Sequence, residues 1–257
     1  MAKEKHIDYD HKQKVHFDKI STKYELHYSD THSNGYRKKF FNDPMCKGIK
    51  VSGLNILEAM CGSGQTTEYL LARGAKVTGL DISPEMIESF RRQWPNCNAI
   101  CASIFDNKIN DNYFDCIFVV GGLHHLHPNI DRAIDEVYRI LKPGGYFCFV
   151  EPHTRSLPDY VRRLWYKLDP LFEDNEAAID VESIKSKNSN RFEFISTQYM
   201  GNVAYLLVLN SLAFRIPHRL KYLYTSFLIS IESVIAPFQD KTFSCFAVCQ
   251  WRKIKTD

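Results

Sequence analysis

The sequence predicts an α/β fold, a mostly parallel sheet with helices on both faces, and two stretches carry that prediction. The first runs from Leu54 to Asp81: Asn55-Ile56-Leu57 and Val77-Thr78-Gly79-Leu80 read as short buried strands around a tight turn and a helix. The second is Phe114-Asp115-Cys116-Ile117-Phe118-Val119-Val120, apolar almost throughout, as a parallel strand covered on both faces must be.

The elements follow in order. From His16 to Tyr28 apolar residues recur at helical spacing, Phe40-Phe41 continues that leader, and Asn42-Asp43-Pro44 is expected to break it. After Asn55-Ile56-Leu57 comes Glu58, then the turn Cys61-Gly62-Ser63-Gly64 and a helix from about Gln65 to Arg73, with Gly74 placed to end it. Ser83-Pro84-Glu85 is a helix start, a serine cap followed by proline and an acid in the first turn. Met86, Ile87 and Phe90 of that helix face inward, and Trp94-Pro95-Asn96 ends it. Asn98 to Ala102 makes a third strand, with Ser103-Ile104-Phe105 at its carboxyl end, where open α/β sheets bind ligands.

Gly121-Gly122 follows the central strand and delivers Leu123-His124-His125-Leu126-His127 to a pocket mouth. Ile130, Ala133, Ile134, Val137, Ile140 and Leu141 then form one helical stripe, stopped by Pro143-Gly144-Gly145 before the strand Tyr146 to Val150. Beyond Glu151, Leu157, Tyr160, Val161, Leu164, Trp165 and Leu168 form an amphipathic helix with Arg162, Arg163 and Lys167 on its other side. Glu173 to Asn190 lacks periodicity and reads as a mobile connection or lid. Phe192 to Thr197 is strand six, two apolar helices span about Val203–Ile216 and His218–Ile235, and Ser244 to Trp251 is strand seven. Neither apolar helix offers the uninterrupted run of a membrane span.

Bulk properties exclude some classes. The net charge of +3 is small and dispersed, which disfavours nucleic acid as a partner. The first residues, MAKEKHIDYDHKQK, lack the apolar core of a signal peptide. The 8 cysteines include no C-x-x-C, and most sit in apolar runs, so reduced thiols in a cytoplasmic protein are expected rather than zinc or disulfides.

Glycines admit a ligand close to the backbone, and an acid about 20 residues on accepts bonds from both ribose hydroxyls, so the stretch up to Asp81 reads as a nucleoside-cofactor site. Thr67 stands where a dinucleotide fingerprint needs its third glycine, and no Walker lysine follows Gly64. Glu58 before the glycines suits a cationic ligand better than a pyrophosphate.

Glu58-Ala59-Met60-Cys61-Gly62-Ser63-Gly64 with Asp81, then Phe114 to Phe118, Leu123-His124-His125 and Leu141-Lys142-Pro143-Gly144-Gly145, resemble the ordered motifs of the class I S-adenosylmethionine (SAM)-dependent methyltransferases. Within them the likeness is to the small-molecule branch of quinone-ring and sterol-type enzymes, and it covers roughly Leu54 to Glu151. It implies a Rossmann-like seven-stranded sheet with the last strand antiparallel and a helical cap. It divides the chain into a helical leader or lid (1–50), a SAM-binding core (51–155) and a substrate cover carrying strands six and seven of the same domain (156–257).

The resemblance implies SAM as cofactor, S-adenosylhomocysteine as product, and a cofactor site of Glu58, Ala59, Met60, Gly62, Gly64, Asp81, Ile82, Met86, Ser103, Ile104 and Gly121. Tyr24, Tyr28 and Arg37 of the leader are candidates to close over it; the alternative is that they pack the leader onto the body. Two positions depart from the pattern. Met60 takes the place of the first glycine and is expected to point beneath the turn, and Ser103 stands where an acid commonly meets the adenine. His124 or His125 is placed to act as a base, His153 being a second candidate. His124 is expected to face the methyl group's path and His125 to turn towards the following helix. The acceptor is a small molecule, with an apolar or lipid-linked one presented at a membrane surface through Arg215, Arg219 and Lys221 as the sharper option. The alternatives are a SAM-binding protein with another or no reaction, and a nucleic-acid methyltransferase.

Overall fold

The computed structural model describes residues 28, 30–166, 177–212 and 214–255. Tyr24 and the leader before Tyr28 lie outside the described residues. Seven strands form one sheet: β1 (Asn55–Ala59), β2 (Lys76–Asp81), β3 (Asn98–Cys101), β4 (Phe114–Val120), β5 (Leu141–Pro152), β6 (Phe192–Met200) and β7 (Phe246–Lys253). Their order is β3-β2-β1-β4-β5-β7-β6, and β7 alone runs antiparallel to its neighbours β5 and β6. This is the Rossmann-like arrangement implied by the sequence. Strand order reverses between β1 and β4, which puts a crevice at their carboxyl ends.

Alternation along the strands builds two cores. Leu57, Ile117, Val119 and Phe147 meet the inner stripe of α5 (Ile130–Ile140) on one face. Ile56, Val77, Phe118 and Cys148 meet Tyr36, Phe40 and Phe41 on the other. Those aromatics belong to α1 (Thr31–Arg37) and the π turn Lys38–Asn42 after it. The break expected at Asn42-Asp43-Pro44 does not occur. The turn passes into α2 (Asp43–Cys46), where Pro44 sits in the first helical turn and its missing N–H is not needed. The Gly-rich turn leads into the short α3 (Thr67–Leu71), and α4 (Pro84–Gln93) starts where expected, the Ser83 hydroxyl accepting the Met86 N–H at 3.2 Å.

The cap differs from its expected form in four ways. In α6 (Leu157–Tyr166) the polar side packs inward: Asp159 is buried against Arg162, whose guanidinium also donates to the His153 carbonyl, while Leu157, Tyr160, Val161 and Leu164 are exposed. The lid expected up to Asn190 contains α7 (Val181–Lys187), capped by Asp180 and anchored by buried Val181 and Ile184. The two apolar helices reduce to a π turn at Tyr205–Leu209, a 3-10 turn at His218–Leu223 and α8 (Thr225–Ile235). Lys221, expected at the surface, is fully buried, donating to Asp30 Oδ2 at 2.6 Å and Ser33 Oγ at 2.8 Å at the start of α1.

Candidate functional site

The turn after β1 holds three residues in the left-handed region, Met60 (φ 55°), Gly62 (φ 53°) and Gly64 (φ 87°). The two glycines serve different ends. A Cβ on Gly64 would lie 2.5 Å from Trp94 Nε1 and 2.8 Å from the Phe90 ring, so that glycine lets α4 pack closely. A Cβ on Gly62 would meet nothing nearer than Met86 Sδ at 4.0 Å. Gly62 therefore borders open space. Met60 fits a left-handed position poorly, and its side chain packs against Gly122, where an added Cβ would come within 2.7 Å of its sulfur.

Two strand-tip carboxylates flank this turn. Asp81 Oδ2 accepts the Gly62 N–H at 2.8 Å and Oδ1 the Ser83 N–H at 3.0 Å, so one side chain fixes the turn and the start of α4. Glu58 is buried and accepts from Thr66 N at 2.9 Å and Thr67 Oγ1 at 2.5 Å. Burial raises its pKa to about 7, against the pull of those donors and of the Arg37 charge. Thr67, in the third glycine's place, thus has a partner of its own.

A third carboxylate organises the loop after β4. Glu151 Oε1 accepts the N–H groups of Gly122 (2.8 Å) and Leu123 (2.7 Å); Oε2 takes the His124 N–H at 3.3 Å and pairs with His124 Nδ1 at 2.8 Å. Burial lifts Glu151 to about 8 and depresses His124 to about 3, both shifts opposing charge at the pair. The His125 ring lies on that of His124, centroids 3.9 Å apart.

These parts line an open cleft of about 920 Å³, the solvent space at its mouth included. It brings together Glu58, Ala59, Met60, Gly62, Asp81, Ile82, Met86, Ser103, Ile104, Gly121 and His125. The expected orientation of the histidines is reversed: His125 lines the cleft, and the ring of His124 is turned to Glu151. Gly64 lies behind the turn. Tyr28 donates to Asn210 Oδ1 at 3.1 Å, and Arg37 is buried against the Tyr28 carbonyl and Asn34, so neither lines the cleft. His153 is buried elsewhere, its Nε2 2.8 Å from Ser244 Oγ. Gln65, Thr66 and Leu126 line the cleft without having been singled out from sequence. Glu151 was visible only as an acid at a strand tip.

A family model described as a methyltransferase domain matches residues 57–149. Over that span the core resembles a methyltransferase domain. The chain is similar to an uncharacterized methyltransferase of Synechocystis sp., 32% identical over 124 residues, the match covering 48% of this chain and 58% of that protein. It is also similar to a fatty-acid O-methyltransferase of Mycolicibacterium smegmatis, 32% identical over 145 residues, covering 54% and 52% of the two. The match thus spans about half the length of these curated relatives. Among solved structures it shares its fold with the N-methyltransferase NodS of Bradyrhizobium japonicum in complex with S-adenosyl-L-homocysteine, at a TM-score of 0.55 and 16% identity, covering 87% and 88% of the two chains.

The matched region has the features a SAM-sized ligand needs. Gly62 leaves a cradle that a side chain would fill, and carboxylates stand at the tips of β1 and β2. Met86, Ile104 and Leu126 supply apolar walls.

Proposed function

We propose that this protein transfers the methyl group of SAM to a small-molecule acceptor with an apolar body, by in-line displacement. The observation that carries the reading is the open cradle at Gly62 between two strand-tip carboxylates, inside a methyltransferase domain. Asp81 is the partner for the ribose hydroxyls, Ser103 and Ile104 border the adenine, and Glu58 faces the cationic end. SAM brings a methyl group already activated by its sulfonium, so the chain's task is alignment, which supplies roughly 7–11 kcal/mol of barrier reduction. His125 is the histidine that meets the acceptor. His124 stands behind it as a positioning residue, its orientation set by Glu151. The apolar cleft walls and the likeness to a fatty-acid O-methyltransferase support an apolar acceptor. Eight free thiols support a reducing, cytoplasmic setting.

Titration calorimetry tests the reading. SAM and S-adenosylhomocysteine should bind one to one, and Asp81→Ala should weaken both by at least the roughly 1.5–3 kcal/mol of a hydrogen bond to a charged group. Unchanged affinity removes Asp81 from the site; no binding by the wild type overturns the cofactor. Mass spectrometry of a cell extract incubated with isotopically labelled SAM then identifies the acceptor.

A further inference from the structure

The apolar side chains that the cores do not use are gathered on the outside of the cap. On α8, Phe227, Ile231 and Val234 recur at the spacing of one helical face and are 67%, 37% and 71% exposed; Phe238, just beyond, is 86% exposed. The roll of α8 is fixed from the other side. Glu232 is buried and accepts from the Tyr36 hydroxyl and from Tyr205 N at 3.1 Å, so turning the stripe inward would bring this carboxylate out.

The helix α6 carries a second exposed stripe, Leu157, Tyr160, Val161 and Leu164. Leu157 N donates to Thr242 O at 2.8 Å and Gln239 Nε2 to Phe243 O at 3.3 Å, so both helices converge on one turn, with Phe243 exposed between them. Monomeric proteins rarely leave large apolar patches open. Its charge is one-sided: from Val203 to Gln239 the one carboxylate is the buried Glu232, while Arg215 and Arg219 are exposed. An apolar face bordered by cations matches an interfacial helix on anionic lipid. No helix among the described residues is long and apolar enough to cross a membrane.

We propose that the cap seats on the surface of an anionic phospholipid bilayer. Phe227, Ile231, Val234 and Phe238 enter the acyl boundary, and Arg215 and Arg219 meet the headgroup phosphates. The inference stands apart from methyl transfer, because binding to vesicles is read without turnover.

Co-sedimentation of the full chain with phosphatidylcholine vesicles, with and without phosphatidylglycerol, tests it. The wild type should bind the mixed vesicles roughly tenfold more tightly than the neutral ones, and added salt should weaken that binding. Phe227→Glu with Val234→Glu should lower it roughly tenfold with the melting temperature unchanged, and Arg219→Glu should reduce its salt dependence. The milder Phe227→Ser with Val234→Ser serves if the acidic pair misfolds. A wild type that stays in the supernatant with both vesicles overturns the proposal, as does undiminished binding by folded stripe variants. A dimer in light scattering that Phe227→Glu dissolves would assign the face to a second copy instead, and overturn it too.

Discussion

Helices α5 and α8 are both 11 residues long, yet they direct their apolar residues in opposite ways. α5 lies over a sheet face of Leu57, Ile117, Val119 and Phe147 and buries Ile130, Ala133, Ile134, Val137 and Ile140 against it. α8 lies over the Tyr36 hydroxyl and the Tyr205 N–H, buries Thr225 and Glu232, leaves Leu228 and Ile229 half-buried, and turns Phe227, Ile231 and Val234 out. The difference teaches that a helix's roll follows what its neighbour can satisfy. A buried carboxylate with two donors holds α8 in place more firmly than its stripe can turn it, because turning would leave the buried Tyr36 hydroxyl and the Tyr205 N–H without an acceptor.

The widest contrast should appear in stability. Ile134→Ala should lose about 2–5 kcal/mol to cavity formation, whereas Val234→Ala should stay within about 0.5 kcal/mol, both measured by urea denaturation. Comparable losses would mean that the α8 stripe is covered in solution. A smaller effect is expected at Met60, on the border of core and cleft. Met60→Gly relieves about 1–2 kcal/mol of left-handed strain but forfeits the packing on Gly122. The net result should be a loss of about 1 kcal/mol with SAM affinity nearly unchanged. Markedly tighter binding at unchanged stability would show that Met60 crowds the ligand.

A further effect separates two buried carboxylates, Glu151 and Glu58, by pH. Glu151 has its folded pKa raised to about 8 from an ordinary 4.5, so its contribution to stability is present below the lower value and lost as pH rises through the upper one. His124, depressed to about 3, contributes above its ordinary 6.5 and loses that contribution as pH falls through 3, so it is constant above pH 7. Glu58, raised to about 7, is half protonated at pH 7 and adds a smaller fall of the same sign. Between pH 7 and 8 wild-type stability should therefore fall, with Glu151 contributing at most about 1.4 kcal/mol per pH unit, and Glu151→Gln should remove that larger part of the slope. Melting curves of both proteins across the interval check it; parallel slopes would show that Glu151 does not titrate there.

The sheet and the cofactor-facing turn were legible because their signals are local. Phe114–Val120 is a strand with the bounds its apolar run suggests, the α5 stripe is buried as its period requires, and Ser83 caps α4 as its side chain allows. Contacts distant in sequence were not legible. Glu151 meets residues more than 25 positions away, so nothing near it announced the fixing of the loop after β4. The facing of the two histidines follows from that contact. The direction of α6 was not legible either, because an apolar stripe fixes which residues lie together on a helix, not which side meets the body. α7 was missed although Asp180 and Ser183 stand at cap spacing, since its buried stripe is only Val181 and Ile184.

Lys221 makes α1 and the cap a single moving part. Its buried ammonium is held by Asp30 and Ser33, so parting α1 from the cap breaks an ion pair and a hydrogen bond at once. Leader helix and cap are thus pinned at one point, like a door whose two panels share one bolt.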